Sequence, residues 1–279
     1  MLYVCPTPIG NLGDITLRVL DVLREADIIA AEDTRRTRKL LSHFNISQPV
    51  MSFFEHNELR RLPELLRRLE AGDKIALVSD AGMPGICDPG YRLISAALEK
   101  GCPVEVLPGA SAIETSLVAS GFATDSFVFT GYLPRKKGDL NAALQAIAAE
   151  PRTCVAFEAP HRLRGTLSAA AALLGDRQIA VCRELTKKFE EIRRDSAAGL
   201  LKALPEKIRG EVVLVFEPGP GKEPGGAVDE ARLTEAIEMM LVEGLSARWA
   251  SELASLLAGV PKNKAYRLAL AVKRKKTRG

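Results

Sequence analysis

The sequence predicts an α/β fold of two layered domains with mostly parallel sheets and a ligand cleft between them, followed by a small helical segment. Three observations carry that expectation. Short apolar runs alternate with stretches of helical periodicity, the pattern of sheets covered by helices on both faces. Several runs end in loops dense in glycine and proline, at the strand ends where open α/β sheets bind ligands. Glu217 to Gly226, with four Gly and three Pro in ten residues, then sets off a tail that reads as helical throughout.

Tyr3 to Cys5 reads as the first strand, and the turn-rich loop Pro6 to Gly13 follows it. Asp14 or Thr16 can cap a helix whose Leu17, Leu20 and Leu23 share a face. Ile28 to Ala31 is the next strand, ending in Glu32-Asp33-Thr34-Arg35 and a short basic helix. Val50 to Phe54 is a third strand. A helix from Asn57 to Glu70 is expected to break or restart near Pro63, and Gly72 stops it.

Ile75 to Val78 is apolar at each position, as a parallel strand covered on both faces must be, and from it leaves the loop Ser79-Asp-Ala-Gly-Met-Pro-Gly-Ile-Cys-Asp-Pro-Gly90. Strand-to-helix turns usually need about two to six residues, so a loop of about a dozen is expected to serve a ligand. Gly82, Gly85 and Gly90 allow backbone shapes closed to other residues, while Pro84 and Pro89 limit the loop's freedom. Tyr91 to Lys100 is helical and closed by Gly101. Val104 to Leu107 is a strand, Ser111 can cap the helix after Pro108-Gly-Ala-Ser-Ala112, and Phe127 to Thr130 closes this half.

Gly131 to Gly138 reads as a linker. Beyond it come helix Asp139 to Ala149, strand Thr153 to Phe157, helix Leu163 to Leu174, strand Ile179 to Cys182, helix Ser196 to Leu204 and strand Val212 to Phe216. The tail holds helices Asp229 to Glu243, Ser246 to Ala258 and Asn263 to Lys275, whose spacing suits a helix-turn-helix unit or a helical cap. The domains are therefore expected at 1–131 and 132–217, with a linker at 218–228 and the tail at 229–279.

Composition narrows the chemistry. Hydrophobic residues make up 47% of the 279 positions, enough for the cores of two domains, and no apolar run approaches the ~20 residues that cross a bilayer. A cytoplasmic protein without a membrane partner is expected. The five cysteines are scattered through apolar runs and read as small buried hydrophobes, with neither disulfide nor metal-ligand spacing. The three histidines lack metal spacing as well, so no metal is expected. There is no P-loop, GxGxxG fingerprint or Gly-x-Ser-x-Gly elbow. Net charge is only +4, but cations cluster at Arg35, Arg36, Arg38 and Lys39, at Arg135 to Lys137, at Arg193 and Arg194, and in the tail at Lys273 to Lys276, a distribution suited to an anionic partner.

Seven motifs together are specific. Thr7-Pro-Ile-Gly-Asn-Leu-Gly-Asp-Ile-Thr16, Ala31-Glu-Asp-Thr-Arg35, the Ser79 to Gly90 loop, Pro108 to Ala112, Glu158-Ala-Pro-His-Arg162, Glu184-Leu-Thr-Lys187 and Gly210-Glu-Val-Val213 closely resemble the tetrapyrrole-methylase-like family of S-adenosylmethionine methyltransferases. Within that family they are similar to the ribosomal branch, which methylates the ribose 2′-oxygen of a cytidine near the decoding site of small-subunit RNA. The resemblance implies two αβα domains, S-adenosylmethionine in the cleft between them, a homodimer, and small ribosomal subunit RNA as partner. It places the cofactor pocket at Pro8, Asp80, Ala81, Gly82, Ile86, Ser111, Ala112, Leu133, Phe157, Glu158, Ala159, Leu185 and Val212. Cys87 and Phe157 depart from the serine and tyrosine common in the family.

For such a reaction, a base must take the 2′-OH proton, and the candidates at strand ends are Asp33, Glu158, Glu184 and Lys187, with Asp33 preferred. Phosphates are expected on Arg35, Arg36, Arg38, Arg135, Lys136, Lys137, Lys275 and Lys276. A tetrapyrrole precursor C-methyltransferase and a noncatalytic RNA-binding ribosome assembly factor are the alternative readings.

Overall fold

Successive side chains of a strand point to opposite faces, so a strand apolar at every position must be covered twice. The computed structural model shows this for the central strands, and it describes residues 1–219, 230–258, 260 and 262–276, apart from the side chains at 230, 231, 257, 258 and 274–276. In chain order the first half runs β1 (Leu2–Cys5), α1 (Leu17–Glu25), β2 (Ile28–Ala31), α2 (Thr34–His43), β3 (Val50–Ser52), α3 (Glu58–Glu70), β4 (Ile75–Val78), α4 (Tyr91–Glu99), β5 (Val104–Val106) and α5 (Ala112–Ser120). Its five strands pair in parallel in the order β3-β2-β4-β1-β5.

Both faces of this sheet are filled. Ile28, Ala30, Ile75 and Leu77 meet Leu65, Leu66 and Leu69 of α3 with Leu93 and Ala97 of α4. Ile29, Ala31, Ala76 and Val78 meet Val19, Leu20 and Leu23 of α1 with Leu41 of α2. The expected break at Pro63 does not occur, and α3 runs unbroken through it. The carbonyl left without a helical donor belongs to Leu59, which is 66% exposed and open to water.

The second half holds β6 (Phe127–Tyr132), α6 (Lys137–Ala149), β7 (Thr153–Glu158), α7 (Leu163–Leu174), β8 (Gln178–Arg183), β9 (Glu191–Ser196), α8 (Ala197–Ala203) and β10 (Val212–Phe216). The sheet order is β6-β7-β10-β8-β9. Only β6 and β7 pair in parallel, while β7/β10, β10/β8 and β8/β9 are antiparallel, which corrects the expectation of a mostly parallel second sheet. The seven residues between Arg183 and Glu191 suffice for a hairpin, whereas a parallel return needs a crossover of about a dozen or more. Sequence reading missed β9 because it is a polar edge strand, Glu-Ile-Arg-Arg-Asp-Ser, of which Ile192 packs inward.

One helix of the first half covers the second sheet. Ile113 and Leu117 of α5 lie against Val155, Ala180, Cys182, Val213 and Val215, and Ile9, Ala81 and Ala112 border the same cluster. The chain divides into two compact units, Met1–Gln145 with Thr153–Glu217, and Ala146–Arg152 with Pro218–Gly279. The first contains both sheets. In the second, α9 (Glu230–Val242), α10 (Ala247–Ala258) and α11 (Lys262–Lys276) surround their own small core of Leu233, Ile237, Ala254, Val260, Ala265 and Ala269. From residue 220 onward the expected linker at 218–228 lies outside the described residues.

Leu117 is 4% exposed at the centre of the α5 contact. Leu117→Ala should lower the unfolding free energy by ~2–5 kcal/mol, read as a lower urea midpoint with an unchanged m-value.

Candidate functional site

The Ser79–Gly90 loop leaves the end of β4 and is fastened at its start. Thr7 and Gly82 exchange two backbone hydrogen bonds of 2.9 Å, the Thr7 hydroxyl donates to the Ser79 carbonyl at 3.0 Å, and the Ser79 hydroxyl donates to the Gly82 carbonyl at 3.0 Å. Gly82 holds φ +84°, which a residue with a Cβ rarely adopts. Gly10 is required for a different reason. A Cβ there would lie 2.5 Å from Lys187 Cγ and 2.9 Å from the Leu185 carbonyl, so the Pro6–Gly13 loop reaches the end of β8 only because Gly10 lacks a side chain.

These loops, α5 and the second sheet enclose a cavity of about 360 Å³, within the usual range of small-molecule sites. One wall is Asp80 to Met83 with Ile86 to Asp88, and another is the first turn of α5 at Ser111, Ala112 and Ile113. The opposite side is formed where β7 ends and antiparallel β10 begins, Phe157 to Pro160 beside Gly210 to Val213, with Val212 in register with Glu158. Tyr132, Ile9, Glu32 and Arg36 complete it. The lining combines apolar side chains with several carboxylates, Arg36, Ser111, Tyr132 and Cys87, and with the first-turn amides of α5, which have no acceptor within their own helix.

The carboxylates occupy different bonding situations. Asp80 Oδ1 accepts the Asp33 amide at 3.0 Å and its Oδ2 pairs with Arg36 at 3.3 Å. Glu32 Oε2 accepts the Asp80 amide at 3.3 Å, and burial, then the nearby Asp80 charge, raises the Glu32 pKa. Asp88 is pushed up to about 7, by burial first and then by the charges of Glu32 and Asp80. Beside it Cys87 is exposed, correcting the expectation that all five cysteines are buried, and partial desolvation of its thiol against the cavity wall, then the Asp88 charge, raises its pKa. Among the described residues no group of His, Cys, Asp and Glu is arranged to hold a metal ion.

Of the expected pocket residues, Asp80, Ala81, Gly82, Ile86, Ser111, Ala112, Phe157, Glu158, Ala159 and Val212 line the cavity. Pro8 does not. It borders a small adjoining cleft with Thr7, Leu12 and Asp80. Leu133, 2% exposed, faces a neighbouring cavity, and Leu185, 6% exposed, is a core residue packed with Ile9 and the α5 side chains.

The expected bases are committed elsewhere. Asp33 caps α2 through the Arg35 amide at 2.8 Å and grips the Arg35 guanidinium at 3.1 and 2.8 Å, contacts that hold its carboxyl well below the usual range. It does not line the cavity. Lys187 Nζ donates to Glu184 and Glu211, both at 3.0 Å. Burial pulls that ammonium down, but hydrogen bonds to Glu211 and Glu184 outweigh it and the net shift is upward, so Lys187 stays charged and is a poor base. Burial of Glu184 is likewise overcome by its bonds to Lys187 and the Glu211 amide, and its pKa is lowered. Glu158 has a fully buried side chain that accepts from the Thr166 hydroxyl and the Ala159 amide and pairs with Arg162 at 3.4 Å. Arg162 in turn donates to the Leu133 carbonyl at 3.0 Å.

The expected phosphate ligands also differ in availability. Arg35 and Arg36 are paired with Asp33 and Asp80, Arg38 is exposed, and Arg135, Lys136 and Lys137 are exposed where α6 begins. Arg193 pairs with Glu191, and Arg194 donates to the carbonyls of Ala119 and Ser120. The side chains of Lys275 and Lys276 lie outside the described residues. Sequence reading missed Glu32, Asp88, Tyr132 and Glu211 as cavity residues. Asp88 lay within the long loop and Glu32 within the Glu-Asp pair, but only the fold shows that these acids face one space.

A solved structure with this fold is the uroporphyrin-III C-methyltransferase of Thermus thermophilus complexed with S-adenosylhomocysteine, at TM-score 0.55 and 18% identity over 77% of this chain and 96% of that one. The description of the tetrapyrrole (corrin/porphyrin) methylases matches residues 1–201. Ribosomal RNA small subunit methyltransferase I of Synechocystis sp. is 42% identical over 97% of both chains, and that of Bacillus subtilis is 43% identical over 95% of this chain and 92% of its own. The chain belongs to the tetrapyrrole (corrin/porphyrin) methylase family, in the branch of the ribosomal RNA small subunit methyltransferase I proteins.

Removing the Asp80 charge should ease ionisation of Asp88. In Asp80→Asn, carboxyl-carbon NMR should show the Asp88 midpoint below its wild-type value of about 7. An unmoved midpoint would show that the two carboxylates do not share a field.

Proposed function

We propose that the protein transfers the methyl group of S-adenosylmethionine to the ribose 2′-oxygen of a cytidine in small-subunit ribosomal RNA. The observation that carries this reading is a cavity of mixed apolar and acidic lining, built from motifs along a chain 42% identical to an RNA methyltransferase over nearly its whole length. The lining fits the cofactor chemically. Asp80, Glu32 and Glu211 offer acceptors to ribose hydroxyls and compensate positive charge, the first turn of α5 offers amide donors, and Ala81, Ile86, Ala112, Phe157, Ala159 and Val212 surround an adenosine-sized body. Bound there, S-adenosylmethionine supplies an electrophilic methyl group on a sulfonium. The resemblance to the ribosomal branch further supports a homodimer acting in the cytoplasm. Among the described residues no helix is long and apolar enough to cross a membrane.

The protein's own task is alignment, exclusion of water and removal of one proton. Holding the reactants in line can contribute ~7–11 kcal/mol. Asp88 is the base in this reading. Glu32 and Asp80 hold loop amides and Arg36, whereas Asp88 lines the same cavity with its pKa near neutrality, where a general base works best. Its carboxylate takes the 2′-hydroxyl proton as the oxygen attacks and later releases it to water.

Three tests follow from this chemistry. Labelled methyl donor incubated with small subunits lacking the modification should mark a cytidine ribose oxygen. Label on a tetrapyrrole carbon would favour C-methylation, and cofactor binding without transfer would favour an assembly factor. Because the base must be ionised, single-turnover rate should rise with pH through about 7 and level off above it. Asp88→Asn should slow that step by ~10²–10⁴-fold with cofactor affinity retained, and a wild-type rate in this variant excludes Asp88 as base.

A further inference from the structure

The cavity does not end at its own walls. Tyr132 and Ala159 also line a second cavity of about 670 Å³, whose other walls include Pro134, Arg135, His161 and Arg162. Arg135, His161 and Arg162 are shared in turn with a third cavity of about 610 Å³, which adds Lys137 at the start of α6. One path therefore leads from the acidic site to a basic surface.

The cations along this path differ from several others on the first unit. Arg35 and Arg36 are paired with Asp33 and Asp80, Arg183 and Arg193 share the carboxylate of Glu191, and Arg194 is spent on backbone carbonyls. Arg135, Lys137 and His161 are exposed and make no ion pair among the described residues. Arg162 binds inward to Glu158 and Leu133 and frames the groove rather than offering its charge outward.

At the junction stands an exposed aromatic ring. The register of β6 shifts between Phe129 and Tyr132, and such a bulge re-aims a side chain. Tyr132 is 60% exposed, yet it is supported from one side by Phe157, edge to face at 5.4 Å, with Phe129 behind at 5.0 Å. A ring held this way keeps a face for a planar partner. Proteins that modify single nucleotides splay the base out of its stack and hold it against an aromatic face, with cations on the flanking phosphates.

Building on the proposed RNA methylation, we propose that the Tyr132–Arg135–His161 groove is the entry path of the substrate strand. Tyr132 stacks on the base of the target nucleotide, and Arg135 and His161 bind the phosphates beside it. The acidic cavity disfavours the polyanion, so the phosphates remain in the basic groove while only the ribose reaches Asp88.

The test uses the full chain saturated with S-adenosylhomocysteine and a fluorescent single-stranded RNA oligonucleotide spanning the methylated cytidine, with binding read by anisotropy. Tyr132→Ala should bind roughly tenfold to a hundredfold more weakly, and Tyr132→Phe close to wild type. Arg135→Ala should reduce the slope of log affinity against log salt by about 0.7, the value for one lost phosphate contact on a single strand. Far-UV circular dichroism and the thermal midpoint should show that each variant is folded, and S-adenosylhomocysteine affinity, measured by calorimetry, should be unchanged in Arg135→Ala, whose side chain lies outside the methyl-donor cavity. Wild-type RNA affinity in Tyr132→Ala, an unchanged slope in Arg135→Ala, or a loss of cofactor affinity in Arg135→Ala overturns the assignment. Failure of the wild-type protein to methylate RNA instead overturns the proposed function.

Discussion

The site depends on where α5 lies. This helix follows β5 of the first sheet, yet its Ile113 and Leu117 are buried against Val155, Val213 and Val215 of the second. Each such side chain removed from water contributes ~1.5–3 kcal/mol, and Arg194 of β9 adds hydrogen bonds to the Ala119 and Ser120 carbonyls at the far end of the helix. Because the first turn of α5 is also a wall of the cavity, the packing that joins the two sheets also fixes the depth of the site. Ile9 and Ala81 border the same apolar cluster, so the two ligand-facing loops are held by it as well.

A second set of constraints acts on charge. Asp80 fixes the start of α2 through the Asp33 amide and Arg36, and Glu32 holds the Asp80 amide. The resulting concentration of carboxylates suits a cationic, hydroxyl-rich ligand and adds to burial, the larger cause, in raising the pKa of Asp88. Glu158 belongs to the cavity wall, but its side chain is buried behind it. Buried with Thr166 and Arg162, it holds the Leu133–Pro134 turn in place through Arg162, and that turn carries Tyr132 at one end and Arg135 at the other.

Much of this arrangement is visible in the sequence, and the parts that are not have physical reasons. Ile75 to Val78 announces a strand covered on both faces, and the overlong loop after it announces a ligand. The antiparallel second sheet escaped notice because the polar edge strand β9 gives no apolar signal. The base could not be read from residue type. Asp33, Glu184 and Lys187 had the right chemistry at strand ends, but Asp33 is consumed by a helix cap and the other two by each other and Glu211. Asp88 gained its character from burial, from Glu32 far away in sequence and from Asp80 across the same loop, information that exists only in the folded chain. The basic clusters at Arg35 to Lys39, at Arg135 to Lys137 and at Arg193 and Arg194 looked alike as sequence and differ in the fold by the partners of their side chains.

The central claim is that loops of the first sheet and strand ends of the second close on one methyl-donor site. Methyl-resolved NMR of the full chain titrated with S-adenosylhomocysteine tests it most directly. Ile9, Ala81, Ile86 and Ala112 from the first half should shift in a single saturable process together with Ala159, Val212 and Val213 from the second. Shifts confined to one half, or centred away from these residues, would contradict the account.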